Sequence, residues 1–272
     1  MNSTMHEGSP TDPRTTHARN GSTGSAGSTA EEAHAAIRVP DKFGTVPFSD
    51  IQDREIDWLL PGLLPRGFLT ALVGDEGVGK GLYSCMLMAQ VTAGPEPADV
   101  LLLAGEDDPE SMIRPRLRAA GADLNRVHLT YKDKETKTGL PILPDDMGAL
   151  RGLVDATSSQ LVVIDPWLAL VAARLQVKDT QQARRVFDPV ARLARETGVA
   201  ILLVGHTNRG DSTSARNRYG ATVGIRQVAR LGLMALPDPE GPEGLLVGVK
   251  SVGLVATGSG NVSKRQDAAN CP

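Results

Sequence analysis

The sequence predicts an α/β fold: a mainly parallel, twisted sheet with helices on both faces and a C-terminal β-hairpin. Apolar runs of strand length recur along the chain at 68–73, 100–104, 127–130, 161–164 and 199–204. The runs are almost continuously hydrophobic rather than alternating, which is typical of strands covered on both faces. Segments with helical patterns separate them, and this order of strand, helix and strand implies right-handed crossovers between parallel strands.

Caps and apolar spacing identify the helical segments. Residues 80–91 are apolar on most sides, which predicts a buried helix. Asp108, which precedes a proline and a glutamate, predicts a capped helix start, and Gly121 predicts the end of that helix. Pro115 lies inside the segment, so we expect a kink or an early break there.

The second half of the chain contains one long amphipathic segment and a candidate hairpin. Residues 183–194 place apolar side chains at helical spacing. Pro189 is expected to divide this helix, with Asp188 capping the second piece. Further on, the apolar runs 231–236 and 245–250 flank a turn-rich segment of proline and glycine, which predicts a terminal hairpin.

Local composition indicates the domain organisation. Residues 1–45 are rich in Gly, Ser and Thr and poor in apolar side chains, so we expect a disordered N-terminal tail. Residues 46–255 carry the strand and helix patterns and are expected to form one folded domain. The polar residues 256–272 are expected to form a flexible C-terminal tail.

Composition also excludes several classes of protein. The chain shows neither a secretory signal nor 18 consecutive apolar residues, so we expect a cytoplasmic protein without a membrane partner. Cys85 and Cys271 lie far apart and the five histidines are scattered, which supports neither a disulfide framework nor a zinc site. A net charge of −3 gives no global attraction to nucleic acid, and 3% aromatic residues argue against a base-stacking platform.

The glycine-rich segment 74–81 matches the P-loop pattern G-x-x-x-x-G-K-[S/T] in every position except the last. It follows a predicted buried strand and precedes a predicted helix, where backbone N–H groups and the helix dipole together favour a phosphate. The segment therefore predicts nucleotide binding. The residues expected to contact the nucleotide are Gly74, Asp75, Glu76, Gly77, Val78, Gly79, Lys80, Gly81 and Leu82.

Polar side chains follow three other predicted strands. Asp165 ends an apolar strand, where it either caps a helix or presents a carboxylate to Mg²⁺ beside the phosphates, and a preceding P-loop favours the second. Glu106 is placed to orient and deprotonate an attacking water, while the role of Asp107 stays open. His206 either faces a ligand at the carboxyl edge of the sheet or caps a loop, and spacing alone favours neither.

The ordered set of these motifs resembles the RepA-like branch of the RecA/DnaB superfamily of ATPases. The resemblance covers about residues 46 to 255 and implies a RecA-like P-loop NTPase core. The motifs that carry it are the P-loop, Glu106-Asp107, Asp165-Pro166-Trp167, His206-Thr207-Asn208-Arg209, Arg218-Tyr219-Gly220 and Lys250-Ser251.

The resemblance implies a role for each matching residue. Lys80 would bind the β- and γ-phosphates of ATP, Glu106 would be the general base, and Asp165 would hold Mg²⁺. His206 resembles the sensor that reports the γ-phosphate to a DNA-binding loop. Lys250 resembles a basic residue that enters the nucleotide site of a neighbouring subunit.

Members of that family include ring-shaped hexameric helicases that move on single-stranded DNA. The resemblance therefore implies a homo-oligomeric ring and single-stranded DNA as partners. Arg209, Arg216 and Arg218 correspond to the region facing the ring channel, although for this chain alone a solvated loop with a few arginines is the simpler explanation. Arg226 and Arg230, expected on one helical face, are either fingers acting across an interface or surface charges.

Gly81 is the main departure from the family pattern, because it has no hydroxyl to offer Mg²⁺. We therefore expect slow hydrolysis at best. The first hypothesis is an ATP-driven motor of the replicative type; the alternative is a hydrolysis-impaired nucleotide-binding accessory or regulatory protein. A small-molecule kinase ranks last, because the sequence offers no clear lid.

Overall fold

The computed structural model describes residues 44–133, 135, 139–206, 223–238, 245–251 and 263–266. The chain divides into two units, Met1–Arg54 and Glu55–Pro272. In the first unit, the described residues contain a single 3₁₀ turn, Phe48–Asp50. The second unit carries the sheet, its helices and the candidate site described below.

Strands and helices alternate through most of the second unit. The strands are β1 (Trp58–Leu60), β2 (Leu64–Pro65), β3 (Leu69–Gly74), β4 (Val100–Ala104), β5 (Val127–Leu129), β6 (Leu161–Asp165), β7 (Ala200–His206), β8 (Leu231–Pro237), β9 (Leu245–Ser251) and β10 (Ser263–Gln266). The α-helices are α1 (Lys80–Thr92), α2 (Arg114–Ala119), α3 (Met147–Thr157), α4 (Thr180–Thr197) and α5 (Val223–Val228). Short 3₁₀ turns occur at Leu124–Arg126 and Trp167–Leu170.

An eight-stranded sheet runs through the unit in the order β10-β9-β8-β3-β7-β6-β4-β5. Every neighbouring pair from β8 to β5 is parallel. The strands β8 and β9 pair antiparallel, and β10 pairs antiparallel with β9. The predicted fold class, a RecA-like α/β core with a mainly parallel sheet and a C-terminal hairpin, is therefore confirmed.

Two hydrophobic cores lie on opposite faces of the sheet. Along β6, Leu161 and Val163 pack on one core while Val162 and Ile164 pack on the other, as the alternation of side chains in a strand requires. The core that contains Leu161 also takes side chains of α1 and α2, and the opposite core takes those of α3, α4 and α5. Helices therefore cover both faces, which explains why the strand sequences are continuously apolar.

The prediction that Pro189 divides the amphipathic segment is wrong. The helix α4 runs without interruption from Thr180 to Thr197, and Asp188 therefore caps no second piece. Residues on both sides of the proline, Val186 and Val190 among them, are fully buried against the sheet. Their burial holds both halves in one direction, and it outweighs the hydrogen bond that a proline removes from a helix.

The predicted helix start at Asp108 is confirmed. The Asp108 carboxylate accepts hydrogen bonds from the backbone N–H groups of Glu110 at 3.1 Å and Ser111 at 2.7 Å. One π-helical turn, Pro109–Ile113, follows before α2 begins. The segment continues as helix without a gap from Pro109 to Ala119, and only the helix type changes, next to Pro115. The early break predicted at Pro115 does not occur, because this proline lies in the first turn of α2, where its missing N–H costs no helix hydrogen bond.

Four of the described elements lie outside the sequence predictions. The strands β1 and β2 form a small antiparallel pair, and α3 precedes β6. Within the segment expected to be a flexible C-terminal tail, β10 extends the sheet beyond the hairpin. None of the helices that the structure describes combines the length and the apolar composition that a membrane crossing requires.

Candidate active site

Four adjacent strands bring the predicted site residues to one edge of the sheet. The strands β3, β7, β6 and β4 are neighbours in that order, and all are parallel. At their carboxyl ends lie, in the same order, the P-loop with Lys80, then His206, Asp165 and Glu106. The order of these residues in space thus follows the sheet and differs from their order along the chain, as expected for ligand sites in open parallel sheets.

The P-loop turns sharply between β3 and α1. Gly77 and Gly79 have φ angles of 74° and 95°, a region that residues with a side chain rarely adopt. Lys80 is 6% exposed and donates a hydrogen bond of 2.6 Å from Nζ to the carbonyl oxygen of Asp75. Because Lys80 is also the first residue of α1, its ammonium and the positive end of the helix dipole act on the same region.

His206 lies between Lys80 and Glu106. Its Nδ1 atom is 3.3 Å from Lys80 Nζ, and its Nε2 atom is 3.6 Å from a carboxylate oxygen of Glu106. An ammonium can only donate, so a hydrogen bond from Lys80 requires Nδ1 to accept, and a neutral imidazole then carries its proton on Nε2. The imidazole therefore lies between the P-loop lysine and the Glu106 carboxylate.

The surroundings of the Asp165 carboxylate disfavour its ionised form. Burial raises its pKa to about 6, and the neighbouring carboxylates of Asp107 and Glu106 add to the shift, while Lys80 and His206 oppose it. Burial also lowers the pKa of the Lys80 ammonium, against the attraction of Asp165 and other acidic groups. Carboxylates converging at such a place would be stabilised by an additional cation.

The residues present fit a Mg²⁺ ion at this edge, although with few protein ligands. Asp165 supplies a largely buried carboxylate of the kind that Mg²⁺ prefers, and burial together with the Asp107 and Glu106 carboxylates raises its pKa to about 6. Within the described part of the chain, no group of three or more His, Cys, Asp or Glu side chains forms a complete metal site. Mg²⁺ commonly takes one or two carboxylates together with phosphates and water, so one buried carboxylate is compatible with it.

Two charged residues that sequence reasoning left without a role lie beside Gly81. The guanidinium of Arg116, from α2, forms an ion pair with the carboxylate of Asp107. A Cβ atom added to Gly81 would lie 3.3 Å from Arg116 Nη1, 3.7 Å from Asp107 Oδ2 and 4.0 Å from Asp165 Oδ2. No motif marks Arg116; the only sequence signal is its place in a helix that leaves the same strand end as Glu106.

A cavity of about 540 Å³ joins these groups. Of the predicted nucleotide contacts, Gly77, Gly79, Lys80, Gly81 and Leu82 line it, whereas Gly74, Asp75, Glu76 and Val78 do not. Its polar lining also includes Glu106, Asp107, Arg116, Asp165 and His206, and its apolar lining includes Cys85, Met88, Leu102, Ala104 and Ile113. Burial raises the pKa of the Cys85 thiol to about 12, so this cysteine is an apolar wall and not a nucleophile.

Trp167 fixes the strand ends around the histidine. A Cβ atom added to Gly205, the residue before His206, would collide with the indole ring of Trp167. The same ring meets Phe187 of α4 edge to face, with ring centroids 5.4 Å apart. The tryptophan of the Asp165-Pro166-Trp167 motif thus packs between the end of β7 and α4, and glycine at 205 allows the close approach.

Two of the remaining predicted residues, Arg230 and Lys250, have backbone positions away from the carboxyl ends of the parallel strands. Arg230 donates its backbone N–H to Leu69 at the amino end of β3, and Lys250 in β9 pairs with Gly232 near the start of β8, so both lie away from the P-loop edge. The prediction that Arg226 and Arg230 share a helical face is wrong, because α5 ends at Val228. Arg209, Arg216 and Arg218 lie outside the described residues.

Comparison with known proteins agrees with this architecture. The AAA domain family matches residues 37–212, a stretch that includes the P-loop, Glu106, Asp165 and His206. The DNA repair protein RadA of Mycolicibacterium smegmatis is 25% identical over 223 residues, which are 69% of this chain and 45% of the relative. The chain thus spans about half the length of this curated relative.

Proposed function

The chain belongs to the AAA domain family, and we propose that it binds ATP at the P-loop cavity together with Mg²⁺ and hydrolyses it slowly. The observation that carries this proposal is the convergence of Lys80, His206, Asp165 and Glu106 at the carboxyl ends of four neighbouring strands. A protein that only binds a nucleotide has no physical need for a carboxylate coupled through an imidazole to the phosphate-binding lysine.

Each residue has a defined part in the proposed reaction. The P-loop N–H groups and the Lys80 ammonium hold the β- and γ-phosphates and stabilise the charge that develops on them. Glu106 orients a water for in-line attack on the γ-phosphorus and accepts its proton, while the bond from the γ-phosphorus to the bridging oxygen breaks and ADP leaves. Asp165 holds Mg²⁺, which supplies further neutralisation of phosphate charge when bound. His206 senses the γ-phosphate, because it contacts both Lys80 and Glu106.

ATP binding and hydrolysis by the full chain would test this assignment. In Glu106→Gln we expect hydrolysis to fall about 10²- to 10⁴-fold while ATP affinity is retained, since a general base acts only in the chemical step. In Lys80→Ala we expect both affinity and hydrolysis to fall. Glu110→Gln is the matched control, because Glu110 is an exposed acid four residues further on that does not line the cavity. Equal losses in Glu106→Gln and Glu110→Gln would refute the role of Glu106.

The finer proposal is a DNA-coupled motor of the RepA-like kind. Its support is the resemblance of the ordered motifs and the similarity to RadA, a DNA repair protein. The phosphates of single-stranded DNA would then be contacted by Arg209, Arg216 and Arg218. Weak phosphate contacts from several subunits of a ring add up to a useful affinity. The measurement is stimulation of ATP hydrolysis by single-stranded DNA, in the natural chain and in a triple Arg→Gln variant at these positions.

Such a ring is expected to be a homo-oligomer, for example a hexamer. A basic residue of one subunit would then complete the nucleotide site of its neighbour, and the candidates are Lys250, Arg226 and Arg230. Lys250 lies away from the P-loop of its own chain, which favours action in trans. Mixing of variants tests this: if Lys250 acts in trans, Lys250→Ala and Glu106→Gln are each inactive alone but recover part of the activity when mixed. Mixed assemblies without recovery would refute action in trans.

Gly81 favours a second candidate function, a nucleotide-binding accessory protein with impaired hydrolysis. Without a hydroxyl at position 81, Mg²⁺ has one protein ligand fewer, and its position in the transition state is less well defined. Tight ATP binding with no turnover, in the natural chain and with DNA present, would select this function over the motor.

A further inference from the structure

The space beside Gly81 is bounded by charged groups that converge on a single point. A Cβ atom at this position would have Arg116 Nη1 at 3.3 Å, Asp107 Oδ2 at 3.7 Å and Asp165 Oδ2 at 4.0 Å. In a P-loop with Ser or Thr here, the hydroxyl holds Mg²⁺ next to the outer phosphates. In this chain a guanidinium lies within van der Waals distance of where that side chain would begin.

The arginine is held in this place by one ion pair and by the capped turn that leads into its helix. Asp107 pairs with the guanidinium, and α2 is anchored because Asp108 caps the turn that leads into it. About a third of the Arg116 side chain is exposed, and Arg116 lines the cavity together with Lys80 and Gly81. The guanidinium therefore reaches the cavity that holds the P-loop lysine and needs no rearrangement of α2 to meet a ligand there.

We propose that Arg116 binds the outer phosphates of the nucleotide from beside Gly81, so that a fixed guanidinium takes over part of the role that a hydroxyl-bound metal has in other P-loops. This proposal rests on the proposed ATP binding at the same cavity. A guanidinium is permanently charged and presents planar N–H donors that suit phosphate oxygens. Gly81 and Arg116 then form a matched pair, in which the missing side chain leaves room for the arginine.

The consequence is an unusual metal dependence of binding. A P-loop that relies on Mg²⁺ loses much of its nucleotide affinity in a chelator, whereas a site with its own second cation keeps most of it. We expect the natural chain to bind ATP in EDTA within about 10-fold of its affinity in Mg²⁺, the size of one hydrogen bond to a charged group. In Arg116→Gln we expect affinity in EDTA to fall about 10- to 100-fold, and the loss to be smaller in Mg²⁺.

Calorimetric titration of the full chain with ATP, in EDTA and in Mg²⁺, measures both effects. Arg118→Gln is the matched control, since Arg118 belongs to the same helix but is exposed and does not line the cavity. Gly81→Ser should increase the dependence on Mg²⁺, because its Cβ approaches the guanidinium and provides a hydroxyl. Adding Arg116→Gln to Gly81→Ser should then cost little further affinity in Mg²⁺. Urea unfolding of each variant ensures that folded proteins are compared.

The outcomes separate this proposal from the function on which it rests. ATP binding in Mg²⁺ that disappears in EDTA for the natural chain overturns the role of Arg116 and leaves ATP binding intact. Equal losses for Arg116→Gln in EDTA and in Mg²⁺ also overturn it, because they indicate a structural effect through Asp107 and α2. Failure to bind ATP under either condition overturns the proposed function itself, and this proposal with it.

Discussion

Replacing Asp165 by asparagine should stabilise the nucleotide-free protein near neutral pH. The carboxyl has a pKa of about 6 in the folded chain, raised from 3.8 by burial and by the carboxylates of Asp107 and Glu106. A raised pKa means that the folded state disfavours the ionised form. At about 1.36 kcal/mol per pKa unit, the ionised carboxylate lowers the free energy of unfolding by roughly 3 kcal/mol.

The cost of the Asp165 charge to the free energy of unfolding depends on pH. Below pH 3.8 the carboxyl is protonated in both states and imposes no penalty; the penalty grows as pH rises and is complete above pH 6. The stability advantage of the Asp165→Asn variant over the natural chain should therefore be about 2 kcal/mol larger at about pH 7.5 than at about pH 4.5. An asparagine side chain gains no charge in this range, so the difference belongs to the carboxyl.

Urea unfolding without metal or nucleotide, followed by tryptophan fluorescence, measures this difference at both pH values. Asp155→Asn is the control, because Asp155 is an exposed acid on α3, and a surface change of this kind stays within about 0.5 kcal/mol. A destabilised Asp165→Asn at about pH 7.5, or an advantage that does not change with pH, would show that the Asp165 charge is already compensated in the free protein.

Three further variants test the packing around the site by the same urea unfolding. Phe187→Ala should cost about 3–5 kcal/mol, since Phe187 is 1% exposed and packs edge to face on Trp167; a loss near zero would contradict the described core. Gly205→Ala should cost about 1–3 kcal/mol because its Cβ collides with Trp167, and no loss would mean that the indole moves freely. Gly152→Ala should instead add about 0.5–1 kcal/mol, because position 152 lies in α3 with open space around it; destabilisation would argue against that helix.

The sheet could be predicted from sequence because burial on both faces leaves a simple signal. The predicted strands β3 to β7 agree with the structure to within about two residues at each end, since each is a short and continuously apolar run. The pair β1 and β2 gives no such signal, because segments of three and two residues show no period. The helix α3 places Met147, Leu150, Leu153 and Val154 at helical spacing against the core. The segment is short and contains Gly148 and Gly152, which weaken the helical signal in the sequence.

Pro189 shows where local reasoning fails. A proline removes one helix hydrogen bond, and this cost is visible in the sequence. The burial of Val186, Phe187 and Val190 against the sheet is not visible there, although together they contribute more than the proline costs. Secondary structure at such a residue is decided by tertiary packing, and the sequence pattern alone therefore predicted a break that does not occur.

The candidate site was predictable residue by residue but not as an arrangement. In the sequence, a polar residue follows each of these predicted strands. Only the sheet order explains why His206 contacts Lys80 and approaches Glu106, because β7 lies next to β3 and is separated from β4 by β6 alone. An alternative strand order with the same sequence would keep every motif and lose these contacts.

Gly81 illustrates the same limit at a single position. The motif alone shows only that the glycine lacks the hydroxyl of Ser or Thr, and this absence predicts weaker metal binding. In the structure the lost side chain is inseparable from Arg116, which approaches from a different strand end and is held by Asp107. Because a Cβ at position 81 and the guanidinium compete for adjacent space, the two positions are expected to couple energetically. A variant that changes only one of them therefore does not reproduce the ordinary P-loop, and restoring the hydroxyl by Gly81→Ser alone should not by itself restore rapid hydrolysis.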